Sequence, residues 1–248
     1  MIPLFKSHYS IGRSILTLEE KKEEDSYPDS IIEIAKQNNL NEICLVEDNM
    51  SSFLEAYTNT KNNNIKLIYG LRISVTDSIL EKTEESKQKT SKFIIFFKNS
   101  QGYESLTKIF GIAAKDGFYY EPRIDYKNLE NNWSDDLNLC IPFYDSFIFN
   151  NTLRGYICVP QINFTKPKVF IEKNNLPFDN IIKEKMNKYS EENSLKVFET
   201  KSIYYKYKKD FKAYLTFRCI NNRNNLNSPG LEHMSSEDFC FESYLEQK

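Results

Sequence analysis

KFIIFFKNSQGYESLTKIFGIAAKDGFYYEPRID, residues 92–125, is the stretch on which the fold turns. Its opening, Lys92 to Phe97, is a short run of β-branched and aromatic side chains and reads as a buried strand. Tyr103, Leu106, Ile109, Phe110 and Ala113 then recur at three- and four-residue spacing, which lays an apolar stripe along a helix. A strand passing directly into an amphipathic helix is the building unit of α/β proteins.

The same alternation continues on both sides. Upstream, Asp29 and Ser30 are good helix starters, Ile31, Ile32, Ile34 and Ala35 repeat at helical spacing, and ICLV (43–46) reads as a buried strand. Phe53, Leu54, Ala56 and Tyr57 mark a further helix, and IKLIYGLRISV (65–75) supplies another strand. Downstream, strands are expected at 137–141, 156–159, 168–171 and 195–198, with helices near 178–189 and 208–220. Ser235 and Asp238 resemble a capping box opening a last helix. Two polar stretches, 19–27 and 78–92, read as a solvated loop and a mobile excursion. With no internal repeat and no composition break, the chain reads as one domain, 1–248, with a mainly parallel sheet or barrel and helices outside.

Composition narrows the classes of function. The 40% hydrophobic share is enough for a substantial core. The 33 basic and 35 acidic residues nearly cancel, so no global field draws the chain to DNA or to an anionic membrane. Five scattered cysteines, with no C-x-x-C pair, form neither a disulfide framework nor a zinc motif, which suits a reducing cytoplasm. No apolar run approaches the length of a membrane span. There is no Gly-rich phosphate loop and no G-x-S-x-G elbow. The abundance of Asn, Lys and Ile points to an AT-rich genome.

Residues 92–125 closely resemble the polymerase-and-histidinol-phosphatase (PHP) domain of bacterial DNA polymerase III alpha subunits, where an apolar strand precedes N-x-x-G-Y-x-N-L, a helix and G-F-Y-Y-x-P-R-I-D. Asn99, Gly102, Tyr103 and Leu106 keep the first spacing; Gly117, Phe118, Tyr119, Tyr120, Pro122, Arg123, Ile124 and Asp125 match the second. From that anchor the resemblance extends over almost the whole chain. It implies a distorted (β/α)7 TIM-like barrel with a metal-binding cleft at the carboxyl ends of the strands.

The resemblance fails at the metal ligands. The family's opening H-x-H-S-x-Y-S reads Leu4, Phe5, Lys6, Ser7, His8, Tyr9, Ser10, so both histidine positions are lost, to Leu4 and Lys6. Its T-D-H-G-N falls on Leu45 to Asn49, which puts Val46 and Glu47 at ligand positions; the Glu of G-x-E becomes Arg72, and the late D-x-H becomes Ser202 and Tyr204. Valine, leucine, lysine, arginine and tyrosine do not rebuild a site made from imidazoles and carboxylates. The expectation is a chain without cofactor and without catalysis of its own, acting as a structural or interaction module in DNA replication. Its partners would be a polymerase body or other replication proteins, with DNA met only indirectly. The alternative is a metal-dependent phosphoesterase or 3′–5′ exonuclease carrying Zn or Mn on unusual ligands.

Lys6, Glu47 and Arg72 are expected to form a salt-bridge cluster in the vestigial cleft, and a single ion on Glu47, Asp48 and His8 is the competing arrangement. His233 reads as a solvated surface residue, and Arg123 as a tie between loops. KSIYYKYKK (201–209) interleaves cations and rings as single-strand binders do, but its aromatic positions also match core positions of the family, and packing is the preferred reading.

Overall fold

The computed structural model describes residues 1–20, 28–227, 234 and 236–248. Eight strands form one sheet: β1 (Ile2–Phe5), β2 (Glu42–Glu47), β3 (Lys66–Thr76), β4 (Ser91–Phe97), β5 (Arg123–Asp125), β6 (Leu137–Ile141), β7 (Lys168–Ile171) and β8 (Val197–Ile203). Their order is β2-β1-β8-β7-β6-β4-β3-β5, and β2 also pairs with β3, so seven strands close into a barrel. Five of the pairings with a defined register are parallel. The exception to the mainly parallel expectation is β4, antiparallel to both β3 and β6.

Two compact units share these strands, one of residues 1–69, 172–179 and 200–248, the other of residues 70–171 and 180–199. In the first, β1 lies between β2 and the end of β8. Helix α1 (Ile31–Gln37) starts where its sequence signal places it: the Ser30 hydroxyl accepts hydrogen bonds from the amides of Ile32 and Glu33. Its Ile31, Ile32, Ile34 and Ala35 are fully buried, as are Phe5, Leu16, Ile43 and Leu45. Helix α2 (Phe53–Asn62) follows β2. Residues 208–220, expected as one helix, are a 3-10 turn (Lys208–Asp210) followed by α8 (Phe211–Asn221). The last helix, α9 (Phe241–Gln247), opens on Cys240. Ser235, His233 and residues 21–27 lie outside the described residues.

The second unit holds the whole of the 92–125 stretch. Asn99 caps α4 (Ser100–Lys115), its side-chain oxygen accepting from the Gly102 amide at 2.9 Å. Gly102 is required because a Cβ there would sit 2.6 Å from the Asp136 carbonyl oxygen. Leu106, Ile109 and Ala113 of α4 are fully buried. Gly117 is tighter still, since a Cβ would come within 1.8 Å of the Arg123 carbonyl oxygen. Asp125 caps α5 (Tyr126–Asn131) through the Asn128 amide at 2.8 Å. After β6 comes α6 (Phe147–Leu153), and after β7 comes α7 (Asp179–Glu192).

Two expectations are corrected in this unit. Residues 78–92 are not a free excursion: Thr83 and Ser86 form a capping box for the short α3 (Glu84–Gln88), Ser86 is buried, and Ser91 and Lys92 already belong to β4. The anchor is Arg123, whose guanidinium donates to Ser86 Oγ at 3.0 Å and to the Glu81 carbonyl at 3.0 Å. Residues 156–159 form no strand. Asn151 of α6 instead bridges the amide and carbonyl of Cys158, at 2.8 and 2.9 Å, which takes up the groups a ladder would use.

Candidate functional site

Parallel pairing brings five of the substituted positions together. Leu4 is in register with Cys44 on one side and Ser202 on the other, so Leu4, Lys6, Val46, Ser202 and Tyr204 fall on one pleat of the sheet. Leu4 and Val46 are buried apolar side chains there, and Ser202 and Tyr204 are each 9% exposed. Glu47, one residue after Val46, falls with Phe5 and Ser7 on the opposite pleat.

That alternation decides which carboxylate meets which cation. Lys6 is 3% exposed, and its Nζ lies 2.8 Å from Asp48 Oδ1 and 3.4 Å from Ser10 Oγ. Arg13 stands on the other side of Asp48, 3.9 Å from Oδ2. Glu47 is fully buried and accepts from the Ser7 amide at 2.9 Å, from Ser7 Oγ at 2.5 Å and from Ser10 Oγ. Burial pushes the Glu47 carboxyl above its ordinary range, against the charge of Lys6 and the serine donors, which pull it down.

Arg72 belongs to the second unit, and the carboxylate it pairs with is Asp145, at 2.7 Å, with a further bond to the Tyr144 carbonyl at 3.1 Å. Arg154 holds the other oxygen of Asp145 at 2.9 Å. Of the expected trio, then, Lys6 and Glu47 lie in one electrostatic neighbourhood, while the ion-pair carboxylates of Lys6 and Arg72 are Asp48 and Asp145.

The late pair is also engaged. Ser202 donates through its amide and its hydroxyl to the two oxygens of Glu172, at 2.9 and 2.8 Å, and Asn174 donates to Glu172 at 2.9 Å. Desolvation raises the Glu172 carboxyl despite these donors. Tyr204 stacks between Tyr214 and Phe239, with centroids 5.8 and 5.3 Å away. Lys201 to Ile203 belong to β8 and residues 201–205 are buried, so this half of the 201–209 patch is packed, while Tyr207 and Lys209 are exposed. Asp145 and Glu172 have no place in the sequence reading, Asp48 appears there only as a candidate ion ligand and Ser10 only as a motif residue. The signal available was position: Asp48 and Glu172 stand immediately after strands β2 and β7.

The donors do not fit a metal of the kind the resemblance implies. Among the described residues, no three His, Cys, Asp or Glu side chains gather closely enough to hold one ion. His8, the candidate third ligand beside Glu47 and Asp48, is exposed and packs its ring on Tyr9 at 4.5 Å. The oxygens of Glu47 already accept from serines, and an ammonium occupies the position beside Asp48.

The G-F-Y-Y-x-P-R-I-D motif is structural as placed. Arg123 is 1% exposed; besides Ser86 and Glu81 it reaches the Gly117 carbonyl at 3.4 Å, so it does tie loops together. Its guanidinium lies 4.9 Å from the Tyr119 ring centroid. Tyr120 takes a positive φ of 61° and lies under Lys87 Nζ at 3.8 Å. Phe118 and Tyr120 are exposed, Ile124 and Asp125 buried.

A family model described as PHP domain matches residues 22–146. DNA polymerase III subunit alpha of Helicobacter pylori is 26% identical over 212 residues, covering 79% of this chain and 17% of that protein. The subunit of the same name from Borreliella burgdorferi is 26% identical over 230 residues, covering 87% and 20%. The chain thus spans at most about one-fifth of the length of these relatives. A putative metal-dependent phosphoesterase from Bifidobacterium adolescentis aligns with a TM-score of 0.40 and 8% identity over 68% of this chain and 79% of its own. No helix among the described residues is long and apolar enough to cross a membrane. With half of its length matched by the family model, and the Asn99–Gly102 and Gly117–Asp125 motifs folded as described, the chain belongs to the PHP domain family.

Proposed function

We propose that this chain is a PHP domain that has given up metal-dependent hydrolysis and acts as a structural or interaction module in DNA replication, in the cytoplasm. One observation carries the reading: the positions matching the family's ligands hold Leu4, Lys6, Val46, Glu47, Arg72, Ser202 and Tyr204, and the carboxylates at or beside them accept from serines or pair with cations. A hydrolytic centre needs open coordination positions around a divalent ion, and this donor set offers none. The relatives are polymerase subunits several times longer, which favours a polymerase body or another replication protein as partner. DNA would then be met through that partner, in keeping with a net charge of −2.

The test is hydrolysis of p-nitrophenyl phosphate and of single-stranded DNA in the presence of manganese or zinc. The expected result is no turnover above a no-protein control. Turnover that needs the metal and disappears in Glu47→Gln would overturn the reading in favour of a phosphoesterase or 3′–5′ exonuclease with a rebuilt site.

A further inference from the structure

The surroundings of Lys6 are those of a bound cation rather than of a surface lysine. Its ammonium lies on Asp48 Oδ1 at 2.8 Å and near Ser10 Oγ at 3.4 Å, with the residue 3% exposed. Ser10 Oγ is a hub, accepting from the Asp48 amide at 2.9 Å and donating to Glu47 Oε2. Ser7 closes the other side, giving its amide and hydroxyl to Glu47 Oε1. Lys6 and Arg13 are both cations beside Asp48, and Lys6 is the more deeply buried of the two. A buried carboxylate left without positive charge is costly, so the ammonium is the natural compensating group.

We propose that Asp48 and Ser10, with the buried Glu47 hydrogen-bonded behind Ser10, form an oxygen-lined cation cage whose resident cation is the ammonium of Lys6. The cage rests on the functional reading above, because an internal cation takes up the place a metal would need. Its chemistry follows from hard carboxylate and hydroxyl oxygens at short range, which suit an alkylammonium head. Removing the Lys6 side chain then leaves an anionic cavity open to an external amine. Substituting methionine keeps the volume but removes the charge, and closes the cavity to any guest.

The experiment measures thermal unfolding of the full chain and of Lys6→Ala and Lys6→Met, each with and without n-propylammonium chloride. That amine replaces the Cγ, Cδ, Cε and Nζ which the alanine substitution deletes. Both variants are expected to melt below the unsubstituted chain. Lys6→Ala alone should recover, by roughly 5 to 11 °C at an amine concentration a hundredfold above its Kd. Equal response of the two variants to the amine, or no loss of stability in either, overturns the cage. Should Lys6→Ala not fold, the double variant Lys6→Met/Glu47→Gln serves: relief of the uncompensated charge makes it melt above Lys6→Met, and failure to do so overturns the cage equally. Stoichiometric manganese binding with hydrolysis by the unsubstituted chain would instead overturn the functional reading. A metal-free, inactive chain whose Lys6→Ala variant ignores the amine overturns the cage alone.

Discussion

Replacing Arg123 by methionine should loosen one part of the second unit and leave the rest folded. The guanidinium is fully enclosed and makes three bonds to neutral acceptors: Ser86 Oγ at 3.0 Å, the Glu81 carbonyl at 3.0 Å and the Gly117 carbonyl at 3.4 Å. The first two are well formed and charge-assisted, each worth about 1.5 to 3 kcal/mol, and the third is too long to count for much. Methionine fills most of the volume and avoids burying a charge, which returns part of that sum. The net cost is about 3 kcal/mol, or roughly 6 to 12 °C in melting temperature for a chain of this size. The loss should be local, because both strong bonds hold the segment from Glu81 to Ser86. Hydrogen exchange would show residues 79–90 and 117–121 losing protection first, with β6 and α4 unchanged. Arg123→Lys should recover little, since one ammonium cannot span acceptors that a planar fork reaches together. Melting within about 2 °C of the unsubstituted protein, or protection lost evenly across the unit, would refute the assignment of Arg123 as the anchor.

Gly117→Ala drives a Cβ to 1.8 Å from a backbone oxygen and should cost about 4 kcal/mol or more, seen as a melting temperature at least roughly 8 °C lower. Asn99→Ala removes the cap of α4 and should cost about 1 kcal/mol, a urea midpoint shift that Asn99→Asp largely avoids. Glu47 and Glu172 hold their protons more tightly folded than unfolded, so their contribution to stability is full below the ordinary carboxylate pKa of about 4.3. It is lost as pH rises through their elevated folded values. Urea midpoints measured upward from mildly acidic pH should fall in that window, and the fall should be smaller in Glu47→Gln; an unchanged slope in the variant would contradict the assignment.

The fold was more legible than the site. Strands β6 and β7 fall where the apolar runs place them, and α1 and α2 begin at the first apolar residue of their stripes, with Ser30 the local capping signal that opens α1. The misreadings were of another kind. Residues 78–92 look polar and mobile because their order comes from Arg123, more than thirty residues away. Tyr156 to Val159 have strand composition, but the Tyr156 amide donates to the Asn150 carbonyl, the Ile157 amide to the Gln88 carbonyl, and Cys158 pairs with the Asn151 side chain. At the site, the resemblance marked which positions had changed, yet ion-pair partners depend on pleat and register. Position 6 shares its pleat with 46 and 48, so Lys6 meets Asp48, while Glu47 turns to Ser7. Asp145, paired with Arg72 and Arg154, lies beyond β6 with a positive φ of 58°, and nothing in its local sequence announces either partner.

Metal content of the purified chain, determined by elemental analysis after dialysis against manganese and then zinc, tests the central claim most directly. The donor set at the former ligand positions leads to a ratio below about 0.1 metal ion per chain. A ratio near or above about one, lost on substituting Glu47 or Asp48, would show that the family's centre has been rebuilt on new ligands, and would contradict the account.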